Sequence, residues 1–103
     1  MRSLASMRIE WTNIAIEDFR DILISADDFG ASTRQKLATK IEKAVTQIAD
    51  FPRSAPVGRA DDTRELVLRG FPFVLIYRID ADCLTILSIR NSARGWPASF
   101  PTT

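Results

Sequence analysis

The chain contains no histidine and only one cysteine, Cys83, among its 103 residues. A single cysteine cannot form a disulfide within the chain, and a structural zinc site needs several thiolate or imidazole ligands. These absences exclude secreted disulfide scaffolds and hydrolases built on a histidine-bound zinc ion. The sequence also has no glycine-rich phosphate loop and no paired-carboxylate motif. We therefore expect neither a metal nor a cofactor.

Long apolar segments and an excess of one sign of charge are also missing. No apolar run approaches the roughly 20 residues that span a bilayer, and residues 1–6 lack the apolar core of a signal peptide. The 14 lysines and arginines nearly balance 13 aspartates and glutamates, and a net charge of +1 points to neither nucleic acid nor an anionic membrane. We expect a cytoplasmic protein that does not contact a membrane.

The length leaves room for one domain. Residues 1–6 show no hydrophobic period, and we interpret them as a disordered leader, with Met7 as a candidate natural start. Residues 7–97 are predicted to form the domain, and residues 98–103 an irregular C-terminal tail.

Hydrophobic periodicity divides the first half of the chain into a strand and two helices. Residues 7–11 alternate apolar and charged side chains, which predicts a half-buried strand, and Thr12 or Asn13 can cap the helix that follows. Apolar residues recur at helical spacing over residues 14–29 and again over residues 32–50, with Gly30 between them. So short a connection predicts an antiparallel helical hairpin.

Three strands are predicted in the second half, after a proline-containing loop at residues 51–62. They cover residues 63–69, 73–80 and 83–91, and their short turns can join only antiparallel neighbours. The apolar run at the start of the middle strand predicts that it is central and the most buried. The order β-α-α-β-β-β predicts an α+β fold in which the hairpin covers one face of a mainly antiparallel sheet and leaves the other free for binding.

All seven basic residues of the second half are arginines. Strict alternation predicts one face that carries Arg69, Arg78 and Arg90, with Glu65 as the only nearby carboxylate. Such a patch suits phosphate or carboxylate ligands, because the planar guanidinium fork binds these groups through two parallel hydrogen bonds. A solvated sheet face with cross-strand charge pairs explains the pattern equally well.

Three further side chains are candidates for chemistry. Cys83 has no histidine to activate it and is interpreted as a small core residue. Tyr77 lies in the central apolar run and is interpreted as a core residue with a satisfied hydroxyl. Trp96 either packs the tail onto the sheet or stacks on a base or a protein partner.

Several short segments carry a resemblance to a known family. They are Arg64-Glu65-Leu66, Tyr77-Arg78, Ile86-Leu87, Ala93-Arg94-Gly95-Trp96-Pro97 and the start of the chain at residues 7–12. This series resembles the RelE/ParE superfamily of type II toxins, also called plasmid-stabilisation proteins, and is closer to the ParE-like branch. The likeness covers residues 7–97.

The resemblance implies a toxin that is neutralised by a cognate antitoxin, whose flexible C-terminal segment wraps over the toxin and folds on binding. RelE-like members cut messenger RNA in the ribosome, whereas ParE-like members inhibit DNA gyrase and need no catalytic set. Arg69 and Arg94 match positions at which RelE-like toxins keep functional arginines. Arg64 matches the arginine of the Arg-Glu-Leu motif, which is functional or structural.

The sequence departs from the family pattern near its end. Many relatives have His-Gly where this chain has Asn91 and Ser92, and often Asp in place of Gly95. Because asparagine cannot transfer a proton near neutral pH, a nuclease would have to use Arg69, Arg94 and Glu65, and arginine is a poor proton donor.

We therefore favour a toxin that inhibits DNA gyrase by protein binding over an enzyme. The alternatives are a ribosome-dependent endoribonuclease that acts on messenger RNA and an inactive relative that retains only antitoxin binding. The residues predicted to bind the target are Arg64, Arg69, Arg78, Arg90, Arg94 and Trp96.

Overall fold

The computed structural model describes residues 7–92, 96–97 and 99–102. The predicted leader, Arg94 and Gly95 lie outside the described residues. The elements in chain order are β1 (Arg8–Trp11), α1 (Asn13–Ala26), a 3-10 turn (Asp27–Phe29), α2 (Ala31–Asp50), β2 (Arg64–Leu68), β3 (Phe73–Ile79) and β4 (Cys83–Asn91). The predicted α+β class and the β-α-α-β-β-β order are confirmed.

The helical hairpin begins at a cap that also contacts the sheet. The Thr12 hydroxyl oxygen accepts from the Ala15 N–H at 3.0 Å, and the same hydroxyl donates to the Leu87 carbonyl at 2.9 Å. At its other end α1 stops at Ala26, three residues before the predicted end, because a 3-10 turn precedes Gly30. Gly30 has a φ of 102°, a conformation that favours glycine, and this turns the chain into α2.

The sheet has the strand order β1-β4-β3-β2. The pairs β2–β3 and β3–β4 are antiparallel, as predicted, whereas β1 is parallel to β4 because the hairpin crosses between them. β4 is therefore also an interior strand, and its residues 83–89 are all buried. The prediction that β3 is the most buried strand is thus wrong, since four residues of β3 are buried against seven of β4, which adds Leu84, Ile86 and Ile89 to the core under the hairpin and Leu87 to the opposite face.

The main core lies between the hairpin and one face of the sheet. It contains Leu37, Ile41 and Ile48 from α2, Leu75 and Tyr77 from β3, and Leu84, Ile86 and Ile89 from β4. Burying each such aliphatic side chain contributes about 1.5–3 kcal/mol, so this layer supplies most of the driving force for folding.

A β-bulge in β4 changes which residues share a face. Ile76 pairs with Ser88 and Tyr77 pairs with Ile86, so Leu87 is the extra residue. Ile86 and Ile89 are three residues apart and both pack in the main core, whereas Leu87 packs on the opposite face of the sheet. This corrects the expectation that strict alternation continues through β4, because one inserted residue shifts its phase.

The sheet face away from the helices is partly covered rather than free, which corrects the sequence-based expectation. Trp96 and Phe100, from the C-terminal segment, pack against Val74, Ile76 and Leu87 on this outer face. Of the two roles considered for Trp96, the structure shows the packing role.

Candidate functional site

The arginines of the predicted patch lie at two ends of the sheet. Arg69 is exposed in the turn that follows β2, and Arg90 pairs with Val74 near the same end. Arg78 pairs with Thr85, toward the opposite end. Val74 and Arg78 are four residues apart on β3, so at about 3.3 Å per residue the two ends are separated by about 13 Å. Arg69 directly follows β2, and Arg78 and Arg90 lie one residue before the ends of β3 and β4. Because β3 runs antiparallel to β2 and β4, Arg78 lies at the opposite end of the sheet from Arg69 and Arg90. The predicted single patch is therefore divided.

Arg69 is the most available cation at its end of the sheet. Neither Arg69 nor Arg90 forms an ion pair with another described residue. Arg90, however, lines a cavity of about 390 Å³ between α1 and the sheet, together with Asp18 and Asp21. The two carboxylates offset its charge, whereas Arg69 faces solvent.

Arg64 lies on the other face of the sheet, opposite Tyr77. Its Nη1 donates to the Ala55 carbonyl at 2.7 Å and, more weakly, to the Arg53 carbonyl at 3.4 Å. The hydroxyl of Tyr77 donates to the Pro52 carbonyl at 2.5 Å. Burial raises the pKa of Tyr77, and the nearby charge of Arg64 opposes that shift. The position of Arg64 is thus that of a structural residue that fixes the loop before β2.

Glu65 is held by an arginine that the sequence analysis did not place in the site. Its side chain is only 15% exposed, and it accepts from the Arg59 main-chain N–H at 2.7 Å and from Arg59 Nε and Nη2 at 3.2 and 3.3 Å. The same guanidinium carbon lies 3.5 Å from the centre of the Trp96 ring, which is cation–π geometry. The indole Nε1 donates to the Asn91 carbonyl at 3.1 Å. We call Glu65, Arg59 and Trp96 the clasp.

The clasp depends on a close approach at Gly58. A Cβ at this position would clash with the Thr63 hydroxyl and would lie 3.1 Å from the Glu65 side chain. Glycine therefore lets the loop pass close enough for Arg59 to reach Glu65. The one sequence signal for this contact is Glu65 itself, since a largely buried carboxylate requires a cation or several N–H donors.

Arg78 forms an ion pair with Asp80, which directly follows β3. Its Nη2 lies 3.1 Å from Asp80 Oδ1, and Asp80 also accepts from the Thr85 hydroxyl at 3.3 Å. Its Nε is buried and makes no hydrogen bond within the described part of the chain. Arg78 is thus partly neutralised but retains a donor.

A protein-family model described as the ParE toxin of the type II toxin-antitoxin system parDE matches residues 9–96 of the chain. The chain belongs to the ParE toxin family. This confirms the resemblance found in the sequence. Over 96 residues the chain is 35% identical to "Putative toxin Y4kP" of Sinorhizobium fredii (strain NBRC 101917 / NGR234), covering 91% of this chain and 97% of that protein.

The ParE-family fold is also seen in a solved structure described as "Chromosomal ParDE TA system from P. aeruginosa". The two chains superpose with a TM-score of 0.75 at 22% identity, over 84% of this chain and 97% of the other. At this identity the match supports the architecture alone, including the strand, hairpin and three-stranded arrangement that carries the clasp.

The remaining groups considered for chemistry are clusters of acidic side chains and Cys83. No group of three or more Cys, Asp or Glu side chains among them could hold a metal ion. Cys83 is buried with its sulfur 3.9 Å from the Thr85 hydroxyl, which confirms its interpretation as a core residue. The same residues include no helix of the length and hydrophobicity that crossing a bilayer requires.

Proposed function

We propose that this chain is the toxin of a type II toxin–antitoxin pair, that it inhibits DNA gyrase by protein binding, and that a cognate antitoxin neutralises it. The observation that carries this proposal is the engagement of Glu65. Its carboxylate accepts three hydrogen bonds from Arg59, so the one acid predicted for RNA cleavage is held as a structural ion pair.

The other candidates for proton transfer support the same conclusion. Tyr77 is fully buried, and its hydroxyl donates to a main-chain carbonyl. The chain has no histidine, and arginine stays protonated at neutral pH. Binding to a protein requires no group that exchanges protons, and this favours gyrase inhibition over cleavage of messenger RNA on the ribosome.

We propose Arg69 as the main target-binding cation. It is exposed and unpaired among the described residues. Trp96 contributes by holding the C-terminal segment against the outer sheet face. Arg90 and Arg94 are proposed as secondary contacts on the sequence prediction, and Arg94 lies outside the described residues.

Two assays with one preparation test the proposal. Purified toxin in excess is added to gyrase in a supercoiling assay and, separately, to ribosomes translating a defined message. We expect loss of supercoiling and an intact message, and we expect the antitoxin encoded beside the gene to restore supercoiling.

The opposite result would contradict the proposal. A cut message with normal supercoiling would identify a ribosome-dependent endoribonuclease. Normal activity in both assays, with no growth arrest on expression without a partner, would identify an inactive relative that retains only antitoxin binding.

A further inference from the structure

β2 is an edge strand, and only its first half is covered. It lies at the end of the strand order, next to β3 alone. Val57 forms a bridge with Arg64, and the Glu65 N–H donates to the Pro56 carbonyl at 3.1 Å, so the preceding loop occupies this edge as far as Glu65. Along the rest of the strand, no main-chain hydrogen bond joins the edge to another described residue.

Val67 holds the open hydrogen-bonding groups of this edge. The main-chain groups of successive residues in a strand point toward opposite edges. The Glu65 N–H points away from β3, and Val67, two residues later, therefore also directs its N–H and carbonyl away from β3. Its side chain pairs with Val74 on the outer face of the sheet and is 60% exposed. An uncovered strand edge beside an exposed apolar side chain is a template for a further strand.

The flank of α2 beside this edge carries all three lysines of the chain. α1 packs on β4 and α2 packs on β2, so α2 is the helix on the β2 side of the sheet. Lys36, Lys40 and Lys43 line a cavity of about 330 Å³ together with Phe71, from the turn that joins β2 to β3. Their spacing of four and three residues places them in one row along the helix, about 10 Å long. We call these three residues the lysine row.

The lysine row is not neutralised by neighbouring acids. None of its members forms an ion pair with a described residue. Glu42 is the one acid of α2 before Asp50, and of the three lysines it shares a cavity with Lys43 alone. At about 100° per residue, Glu42 leaves the helix about 100° or more away from each lysine. The turn after β2 adds Arg69 and contains no acid, so this edge favours an acidic partner.

An extended segment matches the open edge and the lysine row together. In a strand paired antiparallel to β2, the residue opposite Val67 exchanges two hydrogen bonds with it and places its side chain on the same outer face. The residues before and after it then face α2. They lie about 7 Å apart along the strand, close to the rise of about 6 Å between Lys36 and Lys40. Two acidic side chains at these positions would each meet a lysine.

Two other occupants fit this edge less well. Two copies of this chain paired through β2 about a two-fold axis would bring their lysine rows together, which like-charge repulsion opposes. A nucleic acid backbone offers phosphates to the lysine row but nothing that pairs with the main chain of Val67 or packs on its exposed side chain.

We propose that the open edge of β2 and the lysine row bind an extended segment of a partner protein in which one apolar residue stands between two acidic ones. The apolar residue pairs with Val67 through the main chain and packs on its side chain. The two acidic residues bind Lys36 and Lys40. The inference goes beyond gyrase inhibition and holds whichever target the toxin has.

A nuclear magnetic resonance titration of the full-length, nitrogen-15-labelled chain tests the proposal with three peptides. The probe is acetyl-Glu-Val-Glu-amide. One control, acetyl-Gln-Val-Gln-amide, removes the charges, and the other carries N-methylvaline in the probe and removes only the N–H that donates to Val67. We expect saturable shifts of the amide signals of Lys36, Lys40 and Val67 with the probe. Each control should bind about five-fold more weakly, since it loses two surface ion pairs or one main-chain hydrogen bond.

A pair of double variants locates the site. Lys36→Gln combined with Lys40→Gln removes both proposed ion pairs, and we expect it to weaken binding of the probe about five-fold. Arg20→Gln combined with Arg53→Gln removes two exposed arginines, one on α1 and one in the loop before β2, and changes the net charge equally. This second variant should bind the probe like the parent chain.

Several outcomes would overturn the proposal. Equal binding of the probe and the N-methylated peptide would show that no strand is added, and equal binding of the Gln peptide would show that the lysines take no part. Equal effects of the two double variants would show a non-specific charge effect, and no saturable shift at millimolar probe would show that no such segment binds.

Two further measurements test the other occupants. If a DNA duplex shifts the same amide signals at a lower concentration than the probe, the lysine row is a nucleic acid surface. If the Val67 signal shifts with protein concentration alone, the edge binds a second copy of the chain. Either result would replace the proposed partner. The titrations contain no gyrase, so failure of the gyrase assay would leave their results unaffected.

Discussion

The hydroxyl of Tyr77 connects the main core to the loop between α2 and β2. Its ring is fully buried between the hairpin and the sheet, and the hydroxyl reaches the Pro52 carbonyl at the base of the loop. The loop in turn carries Arg53, and the following residues carry Arg59 of the clasp. One core side chain therefore helps to fix the backbone of the loop that carries Arg53 and leads to Arg59.

The ionisation of Tyr77 gives a pH-dependent prediction. Burial raises its pKa above the ordinary value of 10.0. Because the pKa in the folded chain exceeds that in the unfolded chain, the stabilising contribution is complete below pH 10 and is lost as the pH rises through the folded-state pKa. The free energy of unfolding should therefore fall in alkaline solution.

Tyr77 is the only tyrosine of the chain, so phenolate absorbance reports its ionisation alone. We expect the absorbance of the native protein to rise at a higher pH than that of the urea-unfolded protein. In Tyr77→Phe we expect a loss of about 0.5–1.5 kcal/mol at neutral pH, for the missing hydrogen bond, and a smaller alkaline fall in stability. Coincident titration curves for the native and unfolded protein would contradict the prediction.

At the scale of elements, α1 is joined to the bulged strand β4 by a polar contact within an apolar layer. The carboxylate of Asp18 accepts from the Ser88 hydroxyl at 2.5 Å and from the Ile89 N–H at 3.0 Å. The cap residue Thr12 adds a second link, from the start of α1 to the Leu87 carbonyl. Both contacts are made at or next to the bulge residue Leu87. They therefore fix the position of α1 relative to β4 where the pairing of β3 with β4 is irregular.

A double-mutant cycle measures this contact. Asp18→Ala leaves two donors without their acceptor and should cost about 2–3 kcal/mol of unfolding free energy. Ser88→Ala should cost less, and the coupling between the two changes should be about 1 kcal/mol. The measurement is urea unfolding of the two single variants, the double variant and the parent chain.

The matched control for that cycle is Asp21→Ala, which removes an exposed carboxylate from the same helix. A surface change of this kind should stay within about 0.5 kcal/mol. Additive effects of Asp18→Ala and Ser88→Ala would mean that the two side chains contribute independently.

The C-terminal segment acts as a second covering layer for the sheet. Trp96 and Phe100 shield Val74, Ile76 and Leu87, and the clasp holds the indole in place through Arg59. We expect Trp96→Ala to lower the free energy of unfolding by about 2–4 kcal/mol, because it uncovers this apolar strip and removes the cation–π contact. Thermal and urea unfolding measure the loss.

Phe29→Ala is the control for the aromatic truncation, since Phe29 is largely exposed at the hairpin tip and should change stability little. If Trp96→Ala is as stable as Phe29→Ala, the C-terminal segment does not contribute to the stability of the sheet.

At the scale of the whole molecule, the order of elements was predictable because each has a distinct hydrophobic period. The helical period of residues 14–29 and the alternation of residues 7–11 each identify an element without tertiary information. The end of α1 was misplaced because the helical period continues across Asp27–Phe29, where the backbone has already tightened into a 3-10 turn.

The site was less predictable, for three physical reasons. Alternation predicts which face of the sheet a residue lies on, but not its position along the strand. Arg69 and Arg78 were therefore predicted to share one patch, although antiparallel pairing places them at opposite ends of the sheet. The inserted residue Leu87 leaves no signal in composition or period. The contact of Arg59 with Trp96 joins positions 37 residues apart, and no local pattern encodes it.

The arginines lie at two different ends of the sheet, so single substitutions can test the role of each one separately. Arg69→Ala removes an exposed side chain with no ion pair among the described residues, so unfolding free energy should change by no more than about 0.5 kcal/mol. If this arginine is a central contact with the target, inhibition of gyrase supercoiling should weaken about ten-fold or more. Arg20→Ala, with the same change in net charge on α1, should inhibit like the parent chain.

Arg64→Ala completes the comparison, because its guanidinium binds loop carbonyls on the face of the sheet opposite the proposed target surface. We expect it to lower the unfolding free energy by about 1–3 kcal/mol, with any loss of inhibition following the loss of folded protein. Toxin titrations in the supercoiling assay, paired with thermal unfolding of each variant, measure both quantities. Inhibition by Arg69→Ala equal to that by Arg20→Ala would remove Arg69 from the target surface. Weakened inhibition by a fully stable Arg64→Ala would place the target on the opposite face of the sheet.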